Sequence, residues 1–191
     1  MSMSSQMTLV YREATARDSE AIAALHADSW RRHYRGSYSD AFLDSDVDAD
    51  RLAVWTNRLP KTGRPTANRF TVVAESGGDI VGFGHTILNH DQTWGALLDN
   101  LHVTHELKGQ AIGTQLMAEL ARRVLERTPS SGLYLWVLEG NQAAQAFYES
   151  RGGKCIESAA SEPPGGGRVV ALRYVWPDPS SLLTTTNAKG G

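Results

Sequence analysis

The residues best suited to chemistry on an anion lie in the segment Leu101-His102-Val103-Thr104-His105-Glu106-Leu107-Lys108-Gly109-Gln110-Ala111-Ile112-Gly113-Thr114. An apolar strand end runs into a polar turn, and glycines flank the start of an amphipathic helix. Such a turn leaves several backbone N–H groups unpaired at the positive end of the helix dipole. A pyrophosphate can be held there by amides alone. Gly109 and Gly113 lack a Cβ, so the backbone can approach a bulky anion. Glycines that only tighten helix packing would read the same way. No Gly-Lys-Ser/Thr ending follows, which argues against a nucleoside-triphosphate loop. Gly82-Phe83-Gly84 sits inside a strand pattern and completes no dinucleotide fingerprint.

A second segment, Leu135 to Gly153, reads strand, cap, helix, glycine. Asn141 suits the cap of a helix over Gln142 to Ser150. Phe147 and Tyr148 are neighbours, so they project about 100° apart on that helix. One can face the core while the other looks toward a site. Carboxylates near these segments are Asp99, Glu139 and Asp91. His102 and His105 form an HxxH, and His85 and His90 lie on the preceding strand. Neither pair has the helical spacing with a central Glu of a zinc peptidase, so they read as packing or surface histidines and no metal is expected. Cys155 is the only cysteine, which excludes an intrachain disulfide, a multi-Cys zinc site and a CxxC redox pair. With no His partner motif beside it, a catalytic thiol is not expected.

These residues need elements to position them. Thr8 to Glu13 alternates as a first strand, and Thr15 followed by Asp18 resembles a capping box. Ile22, Leu25, Ala27 and Trp30 then predict an amphipathic helix to about Tyr34. Arg35 to Asp50 reads as loop and short helical pieces before a helix over Arg51 to Leu59. Pro60 to Asn68 is a breaker segment. Arg69 to Glu75 and Ile80 to Leu88 form a hairpin around Ser76-Gly77-Gly78-Asp79, and Trp94 to Val103 is a further strand. From Gly109 the period becomes helical, with Gly113, Met117, Leu120 and Val124 in one stripe that ends by Thr128-Pro129. Strands follow at Leu133 to Leu138, Lys154 to Ser158 and Arg168 to Trp176, with a loop at Pro163 to Gly167. The tail from Pro177 is expected to fray. This order gives an α/β fold with a mixed sheet.

A chain of 191 residues fits one domain, read as residues 1–176 plus the tail 177–191. The net charge of -2 argues against a nucleic-acid binder, although Arg31, Arg32 and Arg35 form a local basic patch. No apolar run approaches the roughly 20 residues that span a bilayer, which argues against a membrane protein. Met1 to Met7 lacks the apolar core of a secretory signal, so a cytoplasmic protein is expected.

In these two segments the chain resembles the GNAT superfamily of acyl-CoA-dependent N-acetyltransferases. The family's phosphate loop is Arg or Gln, two residues, Gly, one residue, then Gly or Ala. Lys108-Gly109-Gln110-Ala111-Ile112-Gly113 occupies it, with Lys108 for the Arg or Gln and Ala111 for the first signature Gly. If that position needs positive φ, Ala costs about 1–2 kcal/mol; if φ is helical, only one methyl intrudes. Asn141 and Tyr148 match the second motif, whose usual Gly-Phe is Gly152-Gly153 here. The resemblance implies an α/β (α+β) fold: a mixed, mostly antiparallel sheet flanked by helices and splayed between the fourth and fifth strands. It implies acetyl-CoA as cosubstrate. Backbone of Leu101, His102 and Val103 would pair with the pantetheine arm. Lys108, Gly109 and the amides from Gln110 through Ala111, Ile112 and Gly113 to Thr114 would hold the pyrophosphate, and Asn141 would lie on the cofactor wall.

The reaction implied is direct attack of a primary amine on the thioester, with Tyr148 protonating the leaving thiolate. Asp99 is the candidate base, and Leu97 stands where a Glu might have been expected. Strand alternation would put Asp99 on one face with Leu97 and Leu101. Trp30, Tyr34 and Tyr38 are candidates for an acceptor pocket, bounded by Ser29 to Asp46 and the turn Asn89 to Trp94, though Trp30 serves as well as a core anchor. The acceptor is a small-molecule amine or a protein or peptide amine, and a homodimer stays open. The alternative is a noncatalytic acyl-CoA-binding or regulatory module, for which Ala111, Gly153 and the lack of an obvious base would speak.

Overall fold

The computed structural model of the protein describes residues 8–60, 66–162 and 167–184. After β1 (Leu9–Glu13), a 3-10 turn at Ala16–Asp18 leads into α1 (Ser19–His33). Thr15 and Asp18 make the capping box, with the Thr15 N–H donating to Asp18 Oδ2 at 2.7 Å. Arg12 donates to both Asp18 oxygens at 2.9 Å and so fixes the box to β1. The next helix, α2 (Val47–Arg58), begins one turn before the expected Arg51. Val47 is fully buried beside Ala27 and Leu43, which extends the apolar stripe backwards.

A meander follows: β2 (Arg69–Ser76), β3 (Asp79–Asp91) and β4 (Gly95–Val103), the first two joined by the tight turn at Gly77-Gly78. Then come α3 (Ile112–Arg127), β5 (Leu133–Leu138), α4 (Gln142–Ser150), β6 (Lys154–Ser161) and β7 (Val169–Trp176). The seven strands are ordered β1-β2-β3-β4-β5-β7-β6. Every neighbouring pair is antiparallel except β4 and β5, which are parallel.

Each sheet face carries its own helices. On one, Ile112, Leu116, Met117, Leu120 and Val124 of α3 pack on Val72, Ala74, Val81 and Leu98. The contact is close because β3 has glycines there: a Cβ on Gly84 would stand 2.4 Å from Leu120 Cδ1. On the other, Ile22 and Ala23 of α1 and Trp55 of α2 pack on Val73 and Phe83. Among the described residues no helix is long and apolar enough to cross a membrane.

The chain end departs from expectation. Instead of fraying from Pro177, residues Pro179–Leu182 form a 3-10 turn, capped where Asp178 accepts the Ser180 N–H. Leu182 is buried in the α3 cluster, which holds the turn against the fold. The last seven residues, most of the Pro163 to Gly167 loop, positions 61–65 of the breaker segment and Met1 to Met7 lie outside the described residues.

Candidate active site

The parallel pair β4 and β5 meets at only two positions, Ala96↔Leu133 and Leu97↔Tyr134. Small residues make this pivot tight, since a Cβ on Gly132 would stand 2.8 Å from Trp94 O. Beyond the pivot the strands diverge. From Leu98 to Val103 the edge of β4 facing β5 has no strand partner, so its N–H and C=O groups are open to an extended ligand. A cleft of about 490 Å³ fills this wedge and runs to the first turn of α3.

A bulge shapes the β4 wall. His85 pairs with Asn100 and Thr86 with Leu98, leaving Asp99 unopposed. The extra residue breaks the alternation expected for this strand. Leu101 packs on the α3 side, whereas Leu97 packs with Tyr134 and Val175 on the other, so Asp99 cannot share a face with both. The bulge turns Asp99 and Asn100 toward α2, where Arg58 Nη1 donates to Asp99 Oδ2 at 2.6 Å and Asn100 Oδ1 at 2.9 Å. Asp99 is the one carboxylate among the described residues that line the cleft.

At the other end, the loop before α3 has two left-handed positions separated by one residue. Gly109 has φ 83° and Ala111, the N-cap, has φ 61° and ψ 5°. The alternative left open by the sequence is decided: the position needs positive φ, at a cost to alanine of about 1–2 kcal/mol. Lys108, Gly109, Ala111, Ile112, Gly113 and Thr114 line the cleft, and Gln110 does not.

The α4 wall carries Asn141 and Tyr148, both lining the cleft. Asn141 Oδ1 accepts the Ala144 N–H at 3.2 Å and caps the helix. The Tyr148 ring packs between Phe147, Tyr174 and Trp176. Burial raises its pKa above the ordinary tyrosine value, so the hydroxyl is protonated at neutral pH. A Cβ on Gly153 would stand 2.5 Å from Trp176 Cζ2 and 2.9 Å from Tyr148 O, so a larger residue there would displace this support.

Helix α1 closes the cleft with Ser29, His33 and Tyr34. Ser29 Oγ lies 2.8 Å from His102 Nδ1. His102 also lines the cleft, and burial, followed by His33, Lys108 and Arg51, pushes its pKa down to about 3. The Tyr34 pKa is raised, by burial first and then by Tyr38, Tyr148 and Asp99; of these neighbours Tyr148 and Asp99 line the cleft with it. Trp30 is not part of it. Its ring is buried against Ala27, Leu43 and Val47, with the Arg51 guanidinium 4.0 Å from its centroid filling the cation-binding face. Tyr38 meets Trp30 edge-on and Tyr34 at a tilt, outside the lining.

Other sequence candidates have structural roles. Asp91 Oδ1 accepts the N–H groups of Thr93 and Trp94 and holds the β3–β4 turn, while Glu139 is exposed; neither lines the cleft. His85 is buried against Thr71 Oγ1 at 2.8 Å. The basic patch is neutralised, Arg31 pairing with Asp48, Arg32 with Asp28 and Arg35 with Asp40 and Asp44. Cys155 is exposed on β6. Among the described residues no group of three metal-ligating side chains converges. Ser29 and His33 fall within the expected Ser29 to Asp46 segment but are not singled out there, although they stand four apart on α1; sequence reasoning missed Asn100, which lines the cleft, and Arg58, which pairs with Asp99.

Residues 25–153 match the model of the acetyltransferase (GNAT) family. A probable N-acetyltransferase of Mycobacterium tuberculosis is 29% identical over 143 residues, covering 73% of this chain and 76% of the relative. An uncharacterized N-acetyltransferase of Bacillus subtilis is 27% identical over 178 residues, 92% of this chain and 97% of the relative. The crystal structure of the PaiA N-acetyltransferase from Thermoplasma acidophilum, in complex with coenzyme A, has the same fold. Its TM-score is 0.63 at 18% identity, and the match covers 89% of this chain and 100% of that one.

Proposed function

Because the chain belongs to the GNAT family of acetyltransferases, we propose that its cleft binds acetyl-CoA and passes the acetyl group to a primary amine by direct attack. The observation that carries this reading is the wedge, an unpaired β4 edge that leads into a positive-φ loop at a helix N-terminus. The Thermoplasma protein's complex with coenzyme A supports the same choice of cosubstrate. Pantetheine amides pair with Leu101, His102 and Val103 as an added strand. The amides from Ala111 to Thr114 hold the pyrophosphate, with Lys108 beside them; the Gln110 N–H, expected among them, donates instead to Leu107 O.

The amine nitrogen attacks the thioester carbonyl carbon, giving a tetrahedral oxyanion. The carbon–sulfur bond then breaks, and sulfur leaves with the bonding pair and takes the Tyr148 proton. Burial keeps Tyr148 protonated and so able to donate, and the same apolar wall disfavours a thiolate left unprotonated beside it. The ammonium formed by attack gives its proton to Asp99, directly or through one water. Arg58 engages Asp99 Oδ2, while Oδ1 makes no hydrogen bond among the described residues and is left for the acceptor. Tyr34 forms the opposing wall of the acceptor end.

Thiol release from acetyl-CoA across a polyamine, an amino sugar and a peptide with free α- and ε-amines, alongside calorimetric CoA binding, tests this reading. Saturable CoA binding with turnover on one of these is expected. Binding without turnover on any amine would favour a noncatalytic acyl-CoA-binding module, and absence of CoA binding would overturn both readings.

A further inference from the structure

The last turn of α1 and the loop before α3 are far apart in sequence but touch at the mouth of the cleft. His33 Nδ1 lies 2.8 Å from Ser29 O, and a carbonyl only accepts, so Nδ1 carries the proton. With Nδ1 donating, Nε2 is the ring nitrogen left to accept. Lys108 Nζ stands 2.6 Å from that nitrogen and donates to it. Both side chains line the cleft. Arg32, the preceding residue, reaches Glu106 of the same loop at 3.9 Å, a second contact between the two segments.

We propose that His33 is a positioning residue for the cofactor, its Nε2 accepting a hydrogen bond from Lys108 Nζ and so aiming that ammonium at the CoA pyrophosphate. The inference rests on the acetyl-CoA reading above. An ammonium has three donors, and one is spent on His33, leaving the others for phosphate oxygens. A free lysine side chain would lose rotamer entropy when it settles on the phosphates. Lys108 held by His33 has lost part of it beforehand, so binding is stronger for the same contacts. Because Tyr34 directly follows His33, the same tether fixes the start of the acceptor wall when CoA is bound.

Calorimetric CoA titration of His33→Leu, His33→Gln, Lys108→Met and the double variants that combine Lys108→Met with each His33 substitution tests this without any acceptor. His33→Leu is expected to weaken CoA about fivefold, the scale of one partly exposed hydrogen bond to a charged group. His33→Gln, which keeps an acceptor for the ammonium, should recover most of the loss. In the Lys108→Met background His33→Leu should cost nothing further. Wild-type affinity in His33→Leu, failure of glutamine to recover it, or an equal loss without Lys108 would each overturn the positioning role. A wild-type protein that does not bind CoA would instead overturn the acetyl-CoA reading. If His33→Leu fails to fold by circular dichroism, the glutamine variant carries the test. Near-wild-type binding is then expected, and an equal loss on adding His33→Gln to the wild type and to Lys108→Met would overturn the role.

Discussion

The two ends of the cleft are built from different materials. The proposed cofactor end is largely backbone: unpaired β4 edge groups, two positive-φ residues, and the amides of the first α3 turn. The proposed acceptor end is largely side chains from separate elements, with Tyr34 at the C-cap of α1, Arg58 on α2, Asp99 in the β4 bulge and Tyr148 on α4. A backbone site is secured by chain conformation and tolerates many side chains. A side-chain site depends on long-range packing and on the charge state of each member. The acceptor end should therefore respond to pH and to single-atom changes, and the cofactor end chiefly to changes that alter backbone geometry or charge.

Acid should have the largest effect, through histidines buried on the side-chain-built face behind Asp99 and Arg58. The α1/α2 face buries His26 and His85. His85 contacts Thr71 and the Trp55 ring, and burial, reinforced by Arg58 and Arg69 and opposed by Asp99, depresses its pKa to about 4. The unfolded chain takes up a histidine proton near pH 6.5, whereas the folded one resists until about pH 4. Stability from this group is whole above pH 6.5 and falls as pH drops through that window, by about 3 kcal/mol at pH 4. Urea melts of wild type and His85→Gln from pH 7 to pH 4 measure it. Equal slopes in the two proteins would remove His85 from the account.

The next largest effect lies in chemistry. Tyr148→Phe keeps the ring between Phe147, Tyr174 and Trp176 and deletes only the proton donor. Melting temperature and CoA affinity should change little, while the single-turnover chemical rate falls about 10²-fold. A wild-type rate in the Phe variant would show that the tyrosine only packs.

At the backbone end the corresponding disruption has to be larger in size. The position of a Gly113 Cβ is 3.5 Å from Phe147 Cζ, an ordinary contact, so alanine should be tolerated. Gly113→Glu sends a carboxylate onward into the phosphate site. CoA affinity should fall at least about tenfold, about 1.4 kcal/mol, with the fold retained. Unchanged calorimetric affinity would place the phosphates elsewhere.

The same division explains what the sequence reveals. Elements with strong periods are legible: β5 and α4 have the boundaries read from Leu133 to Leu138 and Gln142 to Ser150. The loop before α3 is legible because backbone constraints leave local marks, here Gly109 and Gly113 beside a change to helical period. The bulge at Asp99 is not, because it is set by the pairing of β4 with β3 and no residue type announces it. Nor is the exclusion of Trp30, which follows from Arg51 arriving from another helix. The turn at Pro179–Leu182 escapes the sequence pattern because one buried leucine, Leu182, decides it against a polar background.

The smallest expected effect tests whether the cofactor end is purely conformational. Ala111 holds φ 61° at the α3 N-cap, where an L side chain is strained by about 1–2 kcal/mol. Ala111→Gly removes that strain but adds about 0.4–1 kcal/mol of backbone entropy to the unfolded chain. The net should be a stabilisation of about 0.5 kcal/mol, a rise of roughly 1–2 °C in a domain of this size. Because glycine adopts the same φ without a methyl at the cleft wall, CoA affinity should be equal or stronger. Ala111→Val, β-branched at the same φ, should lower both. Calorimetric melts and CoA titrations of the two variants decide it. A glycine variant that melts lower and binds CoA more weakly would mean that the alanine methyl makes a contact worth more than its strain, and that side chains matter at this end too.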